Sequence, residues 1–169
     1  MYQKVVPVLK KILTQAQVYK HLFNLSPLYR NTTGRIIIVS EDLHYIKIKI
    51  PLNYQNRNYV GVMFGGSMFS ATDPIYMTQL LEILGKDYVV WDKVSTIRYK
   101  RPGKSTAYGE FTFSKEEIAT IKERIVNEKE INLTKQVNLV SKDGIIFAEI
   151  DKTLYIADRL FYKQKMLKK

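Results

Sequence analysis

One segment, Ser67 to Leu84, is apolar over so much of a helix's circumference that it constrains the fold of the whole chain. A helix that is hydrophobic on nearly every side is normally buried, and Gly85 directly after it is a helix stop signal. The flanking strand patterns are joined by short turns, which indicates antiparallel pairing. The sequence therefore predicts an α+β domain in which a sheet of five to six strands curls around one long central helix of about 66–84.

The other elements follow from the alternation of apolar and polar residues and from turn and capping signals. They are an N-terminal amphipathic helix (1–25), two strands about a turn at 40–42, a strand ending at Pro102-Gly103 with a hairpin neighbour at 105–114, a short inserted helix (about 114–126) opened by a capping box, two strands flanking a turn at 142–144, and a basic tail (158–169). No boundary interrupts this order, so we predict a single domain over 1–169 with its core in 30–157.

Composition excludes several kinds of site. The 169 residues include no cysteine, which rules out disulfides, thiolate metal ligands and a cysteine nucleophile. The two histidines, His21 and His44, are far apart and form no metal-ligand or triad signature, so we expect no metal.

The net charge of +11 favours an anionic partner, either nucleic acid, a membrane surface or a phosphorylated ligand. No nucleic-acid-binding signature accompanies the charge, so nucleic acid is not favoured. Lysines interrupt the N-terminal helix (1–25), which is too polar to span a bilayer and lacks a signal-peptide pattern. We expect a cytoplasmic protein whose N-terminal helix packs on its own core, with membrane-surface contact as the alternative.

The pair Asp73-Pro74 breaks two helix rules inside the apolar segment. Pro74 has no N–H for the carbonyl of Ser70 and disfavours helical geometry at Asp73, which predicts a kink or a restart. A carboxylate on a largely apolar face is partly desolvated and therefore a stronger base than a wet surface acid. Asp73 is thus either a functional base or a cap on backbone N–H groups freed by an irregular turn.

Gly65-Gly66 begins the same segment. Uncovered N–H groups at a helix N-terminus can hold an anion or polarise a carbonyl oxygen. Close packing explains the two glycines equally well, so both interpretations stay open.

The stretch from Asn58 to Asp73 resembles the helix-entry motif of hotdog-fold acyl-CoA thioesterases of the phenylacetate-pathway type, N-x-x-G-T-x-H-G-G-x-x-F-x-x-x-D/E. The spacing from Gly66 to Asp73 is the family's. Further stretches resemble an uncharacterised branch of the superfamily, the domain of unknown function DUF4442: Asn56-Arg57-Asn58, Phe64-Gly65-Gly66-Ser67, Asp73-Pro74 and Val90-Trp91-Asp92-Lys93. The resemblance covers residues 30–157.

This resemblance implies a hotdog fold that assembles as a homodimer or a dimer of dimers (a homotetramer), with the active site at the dimer interface. It implies that Asp73 acts as general base or nucleophile on an acyl-CoA thioester, that the Gly66 N–H, with Ser67, polarises the carbonyl, and that Asn58 belongs to the catalytic set. Substrate contacts would come from Phe64, Gly65, Ser67, Phe69 and, for the coenzyme A phosphates, Arg98, Lys100, Arg101 and Lys104. No cofactor is implied beyond the coenzyme A of the substrate.

The chain departs from the thioesterase pattern at two positions: Phe64 replaces the histidine before the glycines, and Val62 replaces the threonine. The alternative function is a catalytically silent hotdog protein that binds acyl-CoA or a fatty acid. Asp92 and Lys93 point to opposite faces of their strand, so only one faces the helix. Asp92 would share a proton with Asp73, whereas Lys93 would pair with Asp73 and make that acid structural.

Overall fold

The computed structural model describes residues 13–168, which form helices on one sheet. The helices are α1 (Gln15–Leu25), α2 (Pro27–Arg30), α3 (Gly65–Thr72), α4 (Ile75–Leu84), α5 (Lys115–Glu128) and α6 (Arg159–Leu167). The strands are β1 (Arg35–Val39), β2 (Tyr45–Ile50), β3 (Tyr88–Tyr99), β4 (Ala107–Thr112), β5 (Glu130–Val140) and β6 (Ile146–Asp158). Residues 1–12 of the predicted N-terminal helix lie outside the described residues, and the basic tail is helical across α6.

The six strands form one antiparallel sheet in the order β1-β2-β4-β5-β6-β3, which curves around α3 and α4. The predicted α+β hotdog architecture is confirmed. Buried apolar side chains from both layers meet between them, among them Ala71, Ile75 and Leu80 from the helices and Ile46, Ile48, Phe111, Leu139, Ile150 and Ile156 from the sheet. Each large apolar side chain buried in this way contributes about 1.5–3 kcal/mol to stability.

The central helix is divided at Asp73-Pro74 into α3 and α4. The Asp73 N–H still donates to the Phe69 carbonyl at 3.1 Å, but Pro74 has no N–H with which to continue the ladder. The carbonyl of Ala71, in the last turn of α3, instead accepts from the hydroxyl of buried Tyr29 at 3.2 Å. A side chain from α2 therefore supplies one of the hydrogen bonds at the break.

Strand β3 does not form the predicted hairpin with β4. It pairs with β6, from Tyr88 opposite Asp158 to Tyr99 opposite Ala148, while β4 lies between β2 and β5. The segment after β3 is anchored elsewhere, because the Gly103 carbonyl accepts from the Met63 N–H at 2.8 Å. The Pro102-Gly103 signal thus marks a crossing of the chain from one side of the sheet to the other.

The two edges of the sheet differ. Along β1, the Asn24 side chain of α1 donates to the Ile36 carbonyl at 2.8 Å and accepts from the Ile36 N–H at 2.9 Å, and Lys20 donates to the Ile37 carbonyl at 2.7 Å. Helix α1 therefore packs on the domain and covers this edge. Strand β3 has a single paired neighbour, β6, within residues 13–168 and leaves its other edge open.

Candidate active site

A fully buried lysine on β6 lies between two carboxylates. Lys152 Nζ is 2.8 Å from Asp73 Oδ1 and 3.0 Å from Asp92 Oδ1, and the Lys152 side chain is 0% exposed. Its position faces the central helices, in line with the buried residues Ala148, Ile150, Leu154 and Ile156. Three strongly polar groups, from the α3–α4 junction, β3 and β6, thus meet at the border of an otherwise apolar layer.

A bulge in β3 determines which of its residues faces this cluster. The register shifts between Asp92, opposite Leu154, and Val94, opposite Thr153, so Asp92 shares the inward face of buried Leu154. Lys93 points away and reaches Asn132 Oδ1 at 3.3 Å. Asp92 is therefore the residue that faces the central helices. It is paired with Lys152, which also contacts Asp73.

The charges of the cluster sum to −1, which is costly in a partly dry environment. Burial is the main cause of a raised pKa at Asp92; Lys152 offsets part of that rise, and the negative charge of Asp73 adds to it. The Asp73 side chain, by contrast, is 51% exposed, so it is wetter than its apolar helix face predicted. Within the described residues only Oδ1 of Asp73 takes part in a hydrogen bond, which leaves Oδ2 available.

The Asp92→Asn variant should show how this burial affects stability. Because the pKa of Asp92 is raised in the folded state, the folded protein binds more protons than the unfolded chain above the ordinary value of 3.8, and stability falls as the pH rises through the folded pKa. We expect the unfolding free energy of Asp92→Asn, minus that of wild type, to increase with pH between 3.8 and the folded-state pKa of Asp92, and to stay constant at higher pH. Denaturant titrations at stepped pH measure this difference, and a difference that decreases with pH would contradict the assignment.

A second feature is the glycine pocket, a cavity of about 560 Å³ at the start of α3, lined by Val62, Met63, Phe64, Gly65, Gly66, Met68, Tyr99, Lys100, Arg101, Pro102 and Gly103. Gly65 and Gly66 occupy the first two positions of α3, whose N–H groups have no acceptor within the helix. A Cβ at Gly65 would lie 2.6 Å from the Tyr99 hydroxyl oxygen, and one at Gly66 would overlap the Phe64 ring. Close packing thus favours glycine at both positions, although Tyr99 and Phe64 are 55% and 58% exposed, and both glycines line the pocket.

The other predicted residues have more varied surroundings. The Ser67 N–H donates to the Phe64 carbonyl at 3.0 Å, so it is not free to polarise a substrate as predicted. Asn58 Oδ1 accepts from the N–H groups of Val60 and Val62 at 3.1 and 3.2 Å and so shapes the loop before the pocket. Phe69 is partly buried and lies outside the lining of the glycine pocket.

Two of the four predicted phosphate-binding cations are paired within the sheet. Arg98 lies 2.8 Å from Asp151, and Arg98 and Lys100 lie 3.4 and 3.5 Å from Glu149. Arg101 and Lys104 are exposed, and Arg101 lines the glycine pocket. Arg101 is therefore the best placed of the four to meet an anionic ligand there.

A third feature is the apolar groove, a cavity of about 470 Å³ between the α1–α2 pair and the α3–α4 junction. Its lining consists of Leu22, Phe23, Ser26, Leu28, Tyr29, Thr32, Ser70, Asp73, Pro74 and Thr78. Asp73 thus borders the groove while its Oδ1 contacts Lys152.

A curved antiparallel sheet wrapped around a divided central helix defines an α+β hotdog fold. Within that class the chain belongs to the family described as Domain of unknown function (DUF4442), which matches residues 15–156. No curated protein matches the chain.

Solved structures share this fold at low sequence identity. A Pseudomonas aeruginosa protein of unknown function, described as a probable thioesterase, has a TM-score of 0.75 at 17% identity over 85% of this chain and 95% of its own. A Haemophilus influenzae thioesterase has a TM-score of 0.63 at 13% identity over 86% and 92%. A mutant of a Staphylococcus aureus thioesterase has a TM-score of 0.57 at 9% identity over 78% and 99%. At these identities the likeness establishes the fold.

None of the helices within 13–168 is long and apolar enough to cross a membrane. No group of three or more His, Asp or Glu side chains in the same range could hold a metal ion.

Proposed function

We propose that the protein hydrolyses an acyl-CoA thioester with Asp73 as general base or nucleophile. One observation carries the proposal: buried Lys152 holds Oδ1 of Asp73 at 2.8 Å, while the half-exposed carboxylate borders a groove with an apolar lining. A carboxylate fixed in this way is oriented and accessible to an apolar acyl substrate. The thioesterase neighbours of the same fold support the proposal.

The chemistry needs one carboxylate oxygen. As a base, Asp73 accepts a proton from water; the hydroxide attacks the thioester carbonyl carbon, the C–S bond breaks and the thiolate leaves with a proton. As a nucleophile, an Asp73 oxygen attacks the thioester carbonyl carbon, the C–S bond breaks and the coenzyme A thiolate leaves and takes up a proton from solvent; water then cleaves the mixed anhydride to release the fatty acid and restore Asp73. Lys152 Nζ lies 2.8 Å from Asp73 and 3.0 Å from Asp92, so the two carboxylates share one cation and Oδ2 of Asp73 stays available for the reaction.

The site requires a second copy of the chain. Gly66 and Asp73 are seven residues apart, and Asp73 caps the end of α3 in helical conformation, so the two lie about 10 Å apart along the helix axis. A single thioester carbonyl cannot meet the N–H of Gly66 and the carboxylate of Asp73 of the same copy, since each must approach to about 3 Å. We therefore propose a homodimer in which one copy supplies Gly66, with Arg101 for the coenzyme A phosphates, and the other supplies Asp73.

The open edge of β3 is the proposed contact, because Trp91, Val94 and Tyr99 on this strand are 52%, 52% and 55% exposed. We expect wild type to elute as a dimer in size-exclusion chromatography with light scattering. Val94→Asp should give monomers, because it places like charges in a symmetric interface. Val126→Asp, at a position 66% exposed on α5, is the matched control and should remain dimeric. A monomeric wild type, or a Val94→Asp variant that stays dimeric, would contradict this arrangement.

The alternative function is an acyl-CoA or fatty-acid binding protein without catalysis. The pairing of Asp73 with Lys152 favours it, because an acid that neutralises a buried lysine has a structural reason to be present without catalysis. Phe64, where related thioesterases carry histidine, removes a polar group from the glycine pocket and favours it as well.

Release of free thiol from a panel of acyl-CoAs by wild type tests both functions, together with the melting temperature in the presence of each acyl-CoA. Hydrolysis supports the thioesterase. A raised melting temperature without thiol release supports the binding protein, because a ligand that binds only the folded state stabilises it. Neither effect with any chain length would overturn both.

A further inference from the structure

The apolar groove is built from the helices that precede the sheet as well as from the central ones. Leu22 and Phe23 of α1 and Leu28 of α2 form one wall, and Pro74 and Thr78 form the other at the point where the central helix is broken. Its volume of about 470 Å³ lies in the range of small-ligand sites, roughly 300–1,000 Å³. The groove therefore has the size of an organic ligand rather than of a single ion or a few waters.

Most hydroxyl groups of the lining are already engaged. Four of the five donate to backbone carbonyls: Thr78 to Pro74 at 2.6 Å, Ser70 to Gly66 at 2.7 Å, Thr32 to Tyr29 at 2.7 Å and Tyr29 to Ala71 at 3.2 Å. Burial also raises the pKa of Tyr29, so that phenol is neutral. A ligand in the groove consequently meets mainly hydrocarbon surface, with Asp73 and the Ser26 hydroxyl as the polar exceptions.

Asp73 is the one group of the lining that carries a charge. Its Oδ1 belongs to the Lys152 pair, so the exposed part of the carboxylate faces whatever enters the groove. A free fatty acid would place its own negative charge against Asp73, whereas the carbonyl of a thioester is uncharged. The groove thus favours a hydrocarbon chain that ends in a neutral acyl group.

We propose that the apolar groove binds the acyl chain of the thioester, with the reacting carbonyl at Asp73 and the chain running between α1–α2 and the α3–α4 junction. This assignment rests on the proposed function and names its substrate class: straight-chain acyl groups long enough to fill the groove. The same repulsion from Asp73 favours release of the fatty-acid anion after hydrolysis.

Binding should strengthen with chain length. Each additional buried methylene improves affinity about fourfold until the groove is full. S-alkyl coenzyme A thioethers with chains of 4 to 16 carbons measure this by calorimetry, because they carry the chain but cannot be hydrolysed. We expect the dissociation constant to fall stepwise and then reach a plateau.

Leu22→Trp narrows the groove from its α1 wall. We expect Leu22→Trp to bind the 4-carbon thioether with an affinity within about twofold of wild type. Its affinity should rise much less with chain length, so that it binds the longest thioether at least about tenfold more weakly than wild type does. Leu25→Trp is the matched control, because Leu25 lies on the same helix, is 69% exposed and does not line the groove. Leu28→Trp at the rim is the second variant, since a side chain 83% exposed tolerates a larger ring without loss of the fold.

The outcomes separate this assignment from the proposed function. A length-dependent affinity that Leu22→Trp and Leu28→Trp abolish supports the groove even if no acyl-CoA is hydrolysed, a result that would overturn only the thioesterase. If wild type hydrolyses acyl-CoA but binds thioethers of all chain lengths with equal affinity, the groove assignment is wrong and the thioesterase proposal stands. The same conclusion follows if the folded groove variants bind every chain length as wild type does. If the groove variants instead become monomers with an unchanged length profile, the groove is a subunit contact and the assignment is wrong.

Discussion

Lys152→Met is expected to lower the free energy of unfolding by about 3 kcal/mol, the lower end of what breaking a buried ion pair costs. The reason is that two carboxylates would remain without their shared cation, and Asp92, with a side chain 25% exposed and a buried Oδ1, would recover its hydration only in part. Asp73 is half exposed and can be hydrated by water, which keeps the loss at this lower end. For a chain of this length the melting temperature should fall by roughly 6–12 °C, measured by thermal and denaturant unfolding.

Two companion variants identify the cause of that loss. Lys93→Met removes a charge from exposed Lys93 on the neighbouring strand and should change stability by less than about 0.5 kcal/mol. Lys152→Met with Asp92→Leu removes the cation and the buried anion together and should recover most of the stability. If the double variant is no more stable than Lys152→Met alone, Asp92 is not the group that the lysine stabilises.

Asp73→Asn is expected to reduce thioester hydrolysis by about 10²–10⁴-fold, the usual contribution of a general base. The amide oxygen of asparagine can still accept from Lys152 Nζ, so the cluster keeps its geometry while the base is removed. Thiol release under saturating and limiting acyl-CoA should show the loss in kcat, with KM little changed.

Asp87→Asn provides the control for Asp73→Asn, because Asp87 is an exposed acid in the turn after α4 and lies outside the linings of both the glycine pocket and the apolar groove. It should retain wild-type rates. Full hydrolysis by a folded Asp73→Asn variant would show that Asp73 serves only as the partner of Lys152, a structural role other than the backbone cap or the Lys93 pair that the sequence left open.

The architecture was largely predictable because it depends on patterns that are local in the chain. The apolar character of 67–84 required a surrounding sheet, and Pro74 marked the break in the helix. The partner of β3 was not predictable in the same way: Pro102-Gly103 looks like a hairpin turn, yet β3 pairs with a strand about 60 residues further along. Pairing at that range depends on matching apolar faces, such as Ile97 with Ile150, rather than on the turn itself.

The candidate site was predictable only in part. The motif indicated Asp73 and the glycines, but it gave no sign of Lys152, which is 79 residues away from Asp73. The available signal was a lysine at an inward position of an alternating strand, between Ile150 and Leu154. A lysine buried at such a position needs an anionic partner, and only the three-dimensional register of the strands identifies which carboxylates contact it.

The covered edge at β1 limits how the protein can polymerise. Sheets with two open edges can add strands at both sides and grow into fibres, a hazard for any protein with a long unprotected strand. Here Asn24 and Lys20 occupy the backbone groups of β1, so a copy joined through β3 offers no further edge to a third. Growth by strand addition therefore terminates after one step, and weakening the contact of α1 with β1 would expose a second site for aggregation.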